Sequence, residues 1–173
     1  EKEWVDDWFE TKAKKEEYKE RGKEAMKAFY SDFKNNLPPV KFLEKDFNLK
    51  IGNYTFRGRI DRVDQLPGQA VEIIDYKTGR SKTEDKLTAE DKMQLLIYQI
   101  GVEEIMEEKV EKLTFYYLDD NSRVSFLGTE KEKGKIKEDI LEKIKQIQNS
   151  DFSPTPGYFC QFCDFKDICD YKV

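Results

Sequence analysis

Gly52-Asn53 stands between two long stretches of strand-forming residues, and a two-residue step of this composition closes a tight hairpin. The chain is thereby committed to an antiparallel ribbon, Val40 to Ile51 against a strand in which Tyr54, Phe56 and Ile60 alternate with Thr55, Arg57, Arg59 and Asp61. A two-residue turn sets Glu44 directly opposite Asp61. Directly opposed side chains share a face, with Cβ atoms about 4.5–5.5 Å apart. Leu66-Pro67-Gly68-Gln69 reads as a second turn, and Val71 to Lys77 as a third strand, apolar on both faces and therefore central. An even turn at Pro67-Gly68 would set Asp61 opposite Ile74. An odd loop, such as Pro67 to Gln69, or a bulge sets it opposite Asp75, and we expect one of these two.

Helices surround this ribbon. Tyr18, Gly22, Ala25, Met26, Phe29 and Phe33 recur at three- and four-residue spacing, which predicts a helix from about Trp4 to Phe33, ended by Leu37-Pro38-Pro39. Thr88 followed by Asp91 starts a second helix that runs to about Glu108. Val110 to Leu118 and Arg123 to Leu127 read as strands, and Glu130 to Asn149 as an amphipathic helix. This order predicts an α/β (α+β) single domain, a central mixed β-sheet flanked by helices. Residues 1–39 form an N-terminal helical segment, 40–150 the core and 151–173 a cysteine tail, all parts of one structural domain. The chain starts at Glu1 rather than Met, so we expect it to be excised from a larger protein.

Composition narrows the chemistry. The chain has 173 residues and a net charge of −5, which excludes a generally basic nucleic-acid binder and leaves only local patches for phosphate contacts. No apolar run approaches the length of a membrane span. The 12 Phe and 9 Tyr supply core material despite a charged fraction of 39%. There is no histidine, which excludes Ser-His-Asp and Cys-His catalysis. Three cysteines, all from Cys160 onward, do not read as a disulfide framework and point to a reducing compartment, hence the cytoplasm.

Asp75 and Lys77 lie two apart at the end of the central strand, on one face. Alone they could be a surface ion pair. With Asp61 and Glu44 brought alongside, they form a carboxylate cluster whose mutual repulsion a hard divalent cation relieves. Oxygen ligands suit magnesium or manganese. A lysine beside such an ion can orient an attacking water and stabilise developing negative charge. Two acids and a lysine are the minimum parts for phosphodiester hydrolysis without histidine. Gln94 and Tyr98 share a face of the next helix and could look towards a metal or phosphate, or mark an ordinary amphipathic boundary. Arg80, Lys82 and Lys86 give the intervening loop a modest positive bias, which either phosphate contacts or simple solvation explains.

The run Gly58-Arg59-Ile60-Asp61-Arg62-Val63-Asp64, then Asp75-Tyr76-Lys77-Thr78-Gly79, then Gln94-Leu95-Leu96-Ile97-Tyr98 resembles the PD-(D/E)XK nuclease superfamily, in its RecB/AddB branch. The resemblance covers Val40 to the C-terminus and implies a restriction-endonuclease-like αβββαβ core. It implies that Asp61 and Asp75 hold Mg2+ or Mn2+ with the Tyr76 carbonyl, that Lys77 is catalytic, and that Gln94 and Tyr98 are accessory. Arg59, Arg80 and Lys82 would meet DNA. The implied activity is metal-dependent deoxyribonuclease, an exonuclease on single-stranded DNA within a DNA-repair or recombination protein. The implied partner is a UvrD-type helicase domain or subunit. Members of this branch commonly carry a metal-binding histidine upstream, which this chain lacks. A catalytically inactive scaffold that binds DNA or a helicase is the alternative.

Cys160, Cys163 and Cys169 are spaced as C-x2-C-x5-C. In AddB-type nucleases a similar triplet joins one upstream cysteine to hold a [4Fe–4S] cluster, so the resemblance implies such a cluster in the parent protein and an incomplete site here. Zinc and reduced thiols packed among Phe159, Phe162, Phe165 and Tyr171 are the other readings.

Overall fold

A computed structural model describes residues 5, 9–35 and 37–171. The first helix, α1, spans Lys12–Phe33. Thr11 sets its start: the hydroxyl oxygen accepts the Lys14 N–H at 3.2 Å, taking up one of the amides that a helix start leaves unpaired. The expected start at Trp4 lies outside the described residues. Phe29 and Phe33 carry the helix's buried contacts, packing on Tyr116 with ring centroids 5.6 and 5.9 Å away. Tyr18 and Met26 remain exposed, so the apolar stripe expected along the whole helix is buried only at its C-terminal end.

Five strands follow: β1 Val40–Ile51, β2 Tyr54–Gln65, β3 Ala70–Lys77, β4 Lys109–Tyr117 and β5 Ser122–Phe126. They form one mixed sheet in the order β1-β2-β3-β4-β5, with β3 parallel to β4 and the other neighbours antiparallel. The parallel pair requires a crossover, supplied by α2, Ala89–Ile105. The sequence α1-β1-β2-β3-α2-β4 is the expected αβββαβ order, and β3 is central, with β2 on one side and β4 on the other. The alternation expected in β2 holds poorly. Tyr54 and Phe56 are partly exposed, whereas Ile60, Arg62, Val63 and Asp64 are all buried, because only this half of β2 pairs with β3 as well as β1.

The second hairpin turns through Pro67–Gln69, a loop of three residues. Leu66 N–H donates to the Ala70 carbonyl at 2.8 Å, closing it. The ladder then runs from Gln65↔Val71 to Arg62↔Ile74, which sets Asp61 level with Asp75. Gly68, at φ 75°, takes the left-handed conformation this turn needs.

Two packing features hold the functional strand. On the α1 side, Arg62 donates to Asp64 at 2.7 Å and to the Tyr76 hydroxyl at 3.3 Å, with its guanidinium 4.8 Å from the Phe33 ring centre. Burial pushes the Asp64 carboxyl up, and Arg62 opposes that. On the α2 side, the Phe47 ring fills the space between Gly58 of β2 and Gly101 of α2. A Cβ at Gly58 would lie 2.5 Å from that ring, and one at Gly101 2.8 Å. This close approach clamps α2, and with it Gln94 and Tyr98, against the ribbon. Gly101→Ala is therefore expected to cost about 1–3 kcal/mol by overpacking, read as a lower urea midpoint with unchanged slope.

The helix α3 spans Glu130–Gln148. By contact density the chain divides into two compact units, Glu1–Lys137 and Glu138–Val173. The second holds the end of α3 and the cysteine tail, where Tyr158–Phe162 makes a 3-10 turn. No helix among the described residues is long and apolar enough to cross a membrane.

Candidate active site

The end of β3 carries Asp75 and Lys77. Asp75 is 2% exposed, whereas Lys77 keeps part of its side chain in solvent. Asp61 reaches across from β2, where its Oδ2 accepts the Tyr76 N–H at 3.0 Å. This bond fixes one carboxylate against the backbone between the other carboxylate and the lysine. Lys77 Nζ lies 2.7 Å from Asp75 Oδ2 and donates to Gln94 Oε1 at 2.6 Å. Gln94 Nε2 in turn donates to the Tyr98 hydroxyl at 2.9 Å. The capping box of α2, Thr88 with Asp91, starts that helix at Ala89, and Gln94 stands about one and a half turns further on, beside Lys77.

The electrostatics follow from burial. Desolvation pushes the Asp75 carboxyl above the ordinary carboxylate range; Lys77 opposes this and the Asp61 charge adds to it. The Asp75–Lys77 contact is an ion pair that lacks hydrogen-bond geometry, so Asp75 Oδ2 is a buried acceptor with no hydrogen-bond donor. Burial likewise raises the Tyr98 hydroxyl, the Gln94 bond opposes it, and the charges of Asp75, Asp61 and Glu44 add to it. Lys82 pairs with Asp91 at 2.6 Å and, with the Thr88 bonds, holds that carboxyl at about 2.

Several expected residues fall elsewhere. Glu44 lies in register with Asp61, between the pairs Leu43↔Arg62 and Lys45↔Ile60, but its φ of 46° is left-handed. That conformation takes the residue out of the regular pleat, and its pair is missing from the ladder. Among the described residues, no group of three or more Asp, Glu or Cys side chains is gathered to hold an ion. The structure thus brings Asp61 and Asp75 level, while Glu44, whose charge still acts on Tyr98, is not gathered with them into a three-carboxylate group. Arg59 is held across the ribbon by Asp46, at 2.7 and 3.1 Å. Arg80 and Lys82 do flank Lys77, lining a cavity of about 210 Å3 with Thr78, Phe115 and Tyr117.

Two acids and an adjacent backbone carbonyl suit a hard cation, because Mg2+ keeps several waters and is commonly held by one or two carboxylates. Asp75 Oδ2, buried with no hydrogen-bond donor and only the Lys77 ammonium beside it, is the acceptor such an ion would satisfy. The cysteines fit a metal less well. Cys160, Cys163 and Cys169 are free, each partly buried, and offer three thiolates where a [4Fe–4S] cluster or a closed zinc site takes four ligands. The packed-thiol reading fails too, since Phe159, Phe162, Phe165 and Tyr171 are exposed.

Residues that the sequence left without a role also serve the site. Asp119 accepts the Gly79 N–H at 2.5 Å and pairs with Arg21, tying the loop after Lys77 to α1. In the sequence it stands only in the short connection between the last two strands. Arg62 and Asp64 stood in the quoted motif, and their spacing of two was the available signal that they share a face.

A family model described as the PD-(D/E)XK nuclease superfamily matches residues 1–170. No curated protein matches the chain significantly. Among solved structures, that of SSO0001 is similar at 23% identity over 91% of this chain and 79% of that one, with a TM-score of 0.49. A protein from Eubacterium rectale, named as a candidate exonuclease, is similar at 15% identity over 92% of this chain, with a TM-score of 0.50. The chain spans 62% of that protein's length, and at this identity the likeness is one of fold.

Proposed function

Because the chain belongs to the PD-(D/E)XK nuclease superfamily, we propose that it is a metal-dependent deoxyribonuclease that hydrolyses phosphodiester bonds, acting as an exonuclease on single-stranded DNA. The observation that carries this reading is the connected set Asp75–Lys77–Gln94–Tyr98, with Asp61 pinned to the amide between the acid and the lysine. Asp61, Asp75 and the Tyr76 carbonyl would hold Mg2+ or Mn2+, which supplies Lewis acidity towards a phosphoryl oxygen and lowers the pKa of a bound water. Hydrolysis bonds a water oxygen to phosphorus while the ester oxygen departs and takes up a proton. The Lys77 ammonium stabilises the negative charge that grows on the phosphoryl group. Gln94 fixes the direction of that ammonium by accepting a hydrogen bond from it at Oε1, and Tyr98 holds the Gln94 amide in place.

The scaffold reading has one observation in its favour, the absence of histidine from the chain. Retention of both acids, the lysine and the glutamine that orients it favours catalysis. Association with a UvrD-type helicase, as domain or subunit, rests on the family resemblance. The test is cleavage of end-labelled single-stranded DNA in Mn2+ and in EDTA. Products are expected only with the metal; an intact strand across a titration of Mn2+ and Mg2+ would sink the reading.

A further inference from the structure

Two cavities meet at Lys77. One, of about 470 Å3, is floored by buried Phe47, Ile97 and Tyr98, and Phe56, Arg57 and Met93 line it as well. The other is the smaller cavity with Thr78, Arg80 and Lys82. Lys77 and Asp91 line both, so the two adjoin. Phe56 and Met93 are 37% and 40% exposed, large apolar groups left in solvent beside the lysine. Arg57 and Arg80 carry no ion pair among the described residues, whereas Asp91 is occupied by Lys82. Glu90 also lines the larger cavity.

We infer that the larger cavity takes the base of an unpaired nucleotide, stacked on Phe56 against Met93, while Arg80 and Thr78 take a phosphate of the same strand in the smaller one. The inference deepens the nuclease reading and rests on it. An apolar slot and a free cation in adjoining cavities that share one lysine match a polymer that alternates a flat π-face with an anion. A base inside a duplex presents both faces to its neighbours, so it reaches Phe56 only by leaving the stack. Preference for an unpaired strand is then a property of this pocket, with Phe56 as its specificity-determining residue. Stacking on an aromatic ring tolerates any base, so the pocket discriminates strandedness and not sequence.

The test is equilibrium binding in Ca2+, which needs no turnover. A fluorescein-labelled thymidine octamer is compared with an octamer of the same phosphates and abasic sugars. The intact strand should bind about 5- to 150-fold more tightly, the factor that ~1–3 kcal/mol of base stacking gives. Phe56→Ala should bring the intact strand close to the abasic level and leave the abasic strand unchanged. Met93→Ala, on the exposed face of α2, should narrow the gap in the same direction. Arg80→Ala should weaken both strands alike and lower the salt dependence. Equal affinity for the two strands, a gap that survives both Phe56→Ala and Met93→Ala, or no binding of either strand at low salt overturns the inference. Cleavage of the same strands in Mn2+ reports separately on the nuclease reading. Cutting without a base-dependent gap removes the pocket and keeps the nuclease; a gap without cutting does the reverse.

Discussion

Lys77→Ala should lower the rate of DNA cleavage by about 10²- to 10³-fold, the loss typical of removing one preorganised group that stabilises transition-state charge. The side chain is not a structural anchor: it is 36% exposed, so its removal leaves no large cavity. What disappears is a positive charge held by Gln94 beside Asp75. The effect should fall on kcat more than on KM, because the charge it stabilises grows only as the phosphoryl bond breaks. Lys77→Arg should not rescue, since a planar guanidinium cannot reproduce a compact ammonium that both faces Asp75 and donates to the Gln94 carbonyl oxygen. Single-turnover cleavage in Mn2+, with Mn2+ affinity measured in parallel, checks this. Wild-type rates in the alanine variant would remove Lys77 from the reaction.

Asp75→Asn should separate activity from stability. Turnover should fall by about 10³-fold or more as one of two acidic ligands is lost. The metal-free fold should instead become more stable at neutral pH. Burial holds the Asp75 carboxyl above its ordinary value, with Lys77 only partly offsetting this. A carboxyl whose folded-state pKa is raised binds its proton more tightly in the fold than in the unfolded chain. The fold therefore loses stability as pH rises from the unfolded value of about 4 through the raised folded value, and stays less stable above both. Asparagine has no such loss. In EDTA at pH 7 the variant should melt about 2–4 °C higher, corresponding to ~1 kcal/mol for a chain of this size, and the two curves should converge below about pH 3. Mn2+ should raise the melting temperature of the wild type and leave the variant unmoved. A variant less stable than wild type at pH 7 in EDTA would contradict the account of Asp75 as a strained, desolvated acid.

The parts of this molecule that were legible in its sequence are those governed by local rules. A two-residue turn fixes a register, and Ile51↔Tyr54 through Lys45↔Ile60 follows it without a slip. Three residues in the second turn are what bring Asp61 level with Asp75; the turn composition left odd and even loops open, and only the expectation that the two acids share a face favoured an odd loop or a bulge. The left-handed turn of the backbone at Glu44 was not legible, because register does not determine φ; its neighbours stay paired while its own pair is missing from the ladder. Exposure of Tyr54 and Phe56 also escaped, because alternation says which side chains share a face and not how far the neighbouring strand extends to cover them. The roles of Asp119, Arg21 and Arg62 depend on contacts between elements distant in the chain, Asp119 with Gly79 and Arg62 with Phe33, which no periodicity encodes.

Anomalous diffraction from crystals grown with Mn2+ should show a peak bound by the carboxylates of Asp61 and Asp75 and by the Tyr76 carbonyl, with Lys77 Nζ turned from Asp75 towards the water or phosphate oxygens around the ion. No peak there at saturating Mn2+, or manganese held only by carboxylates elsewhere on this acidic chain, would contradict a metal-dependent site at Asp61 and Asp75.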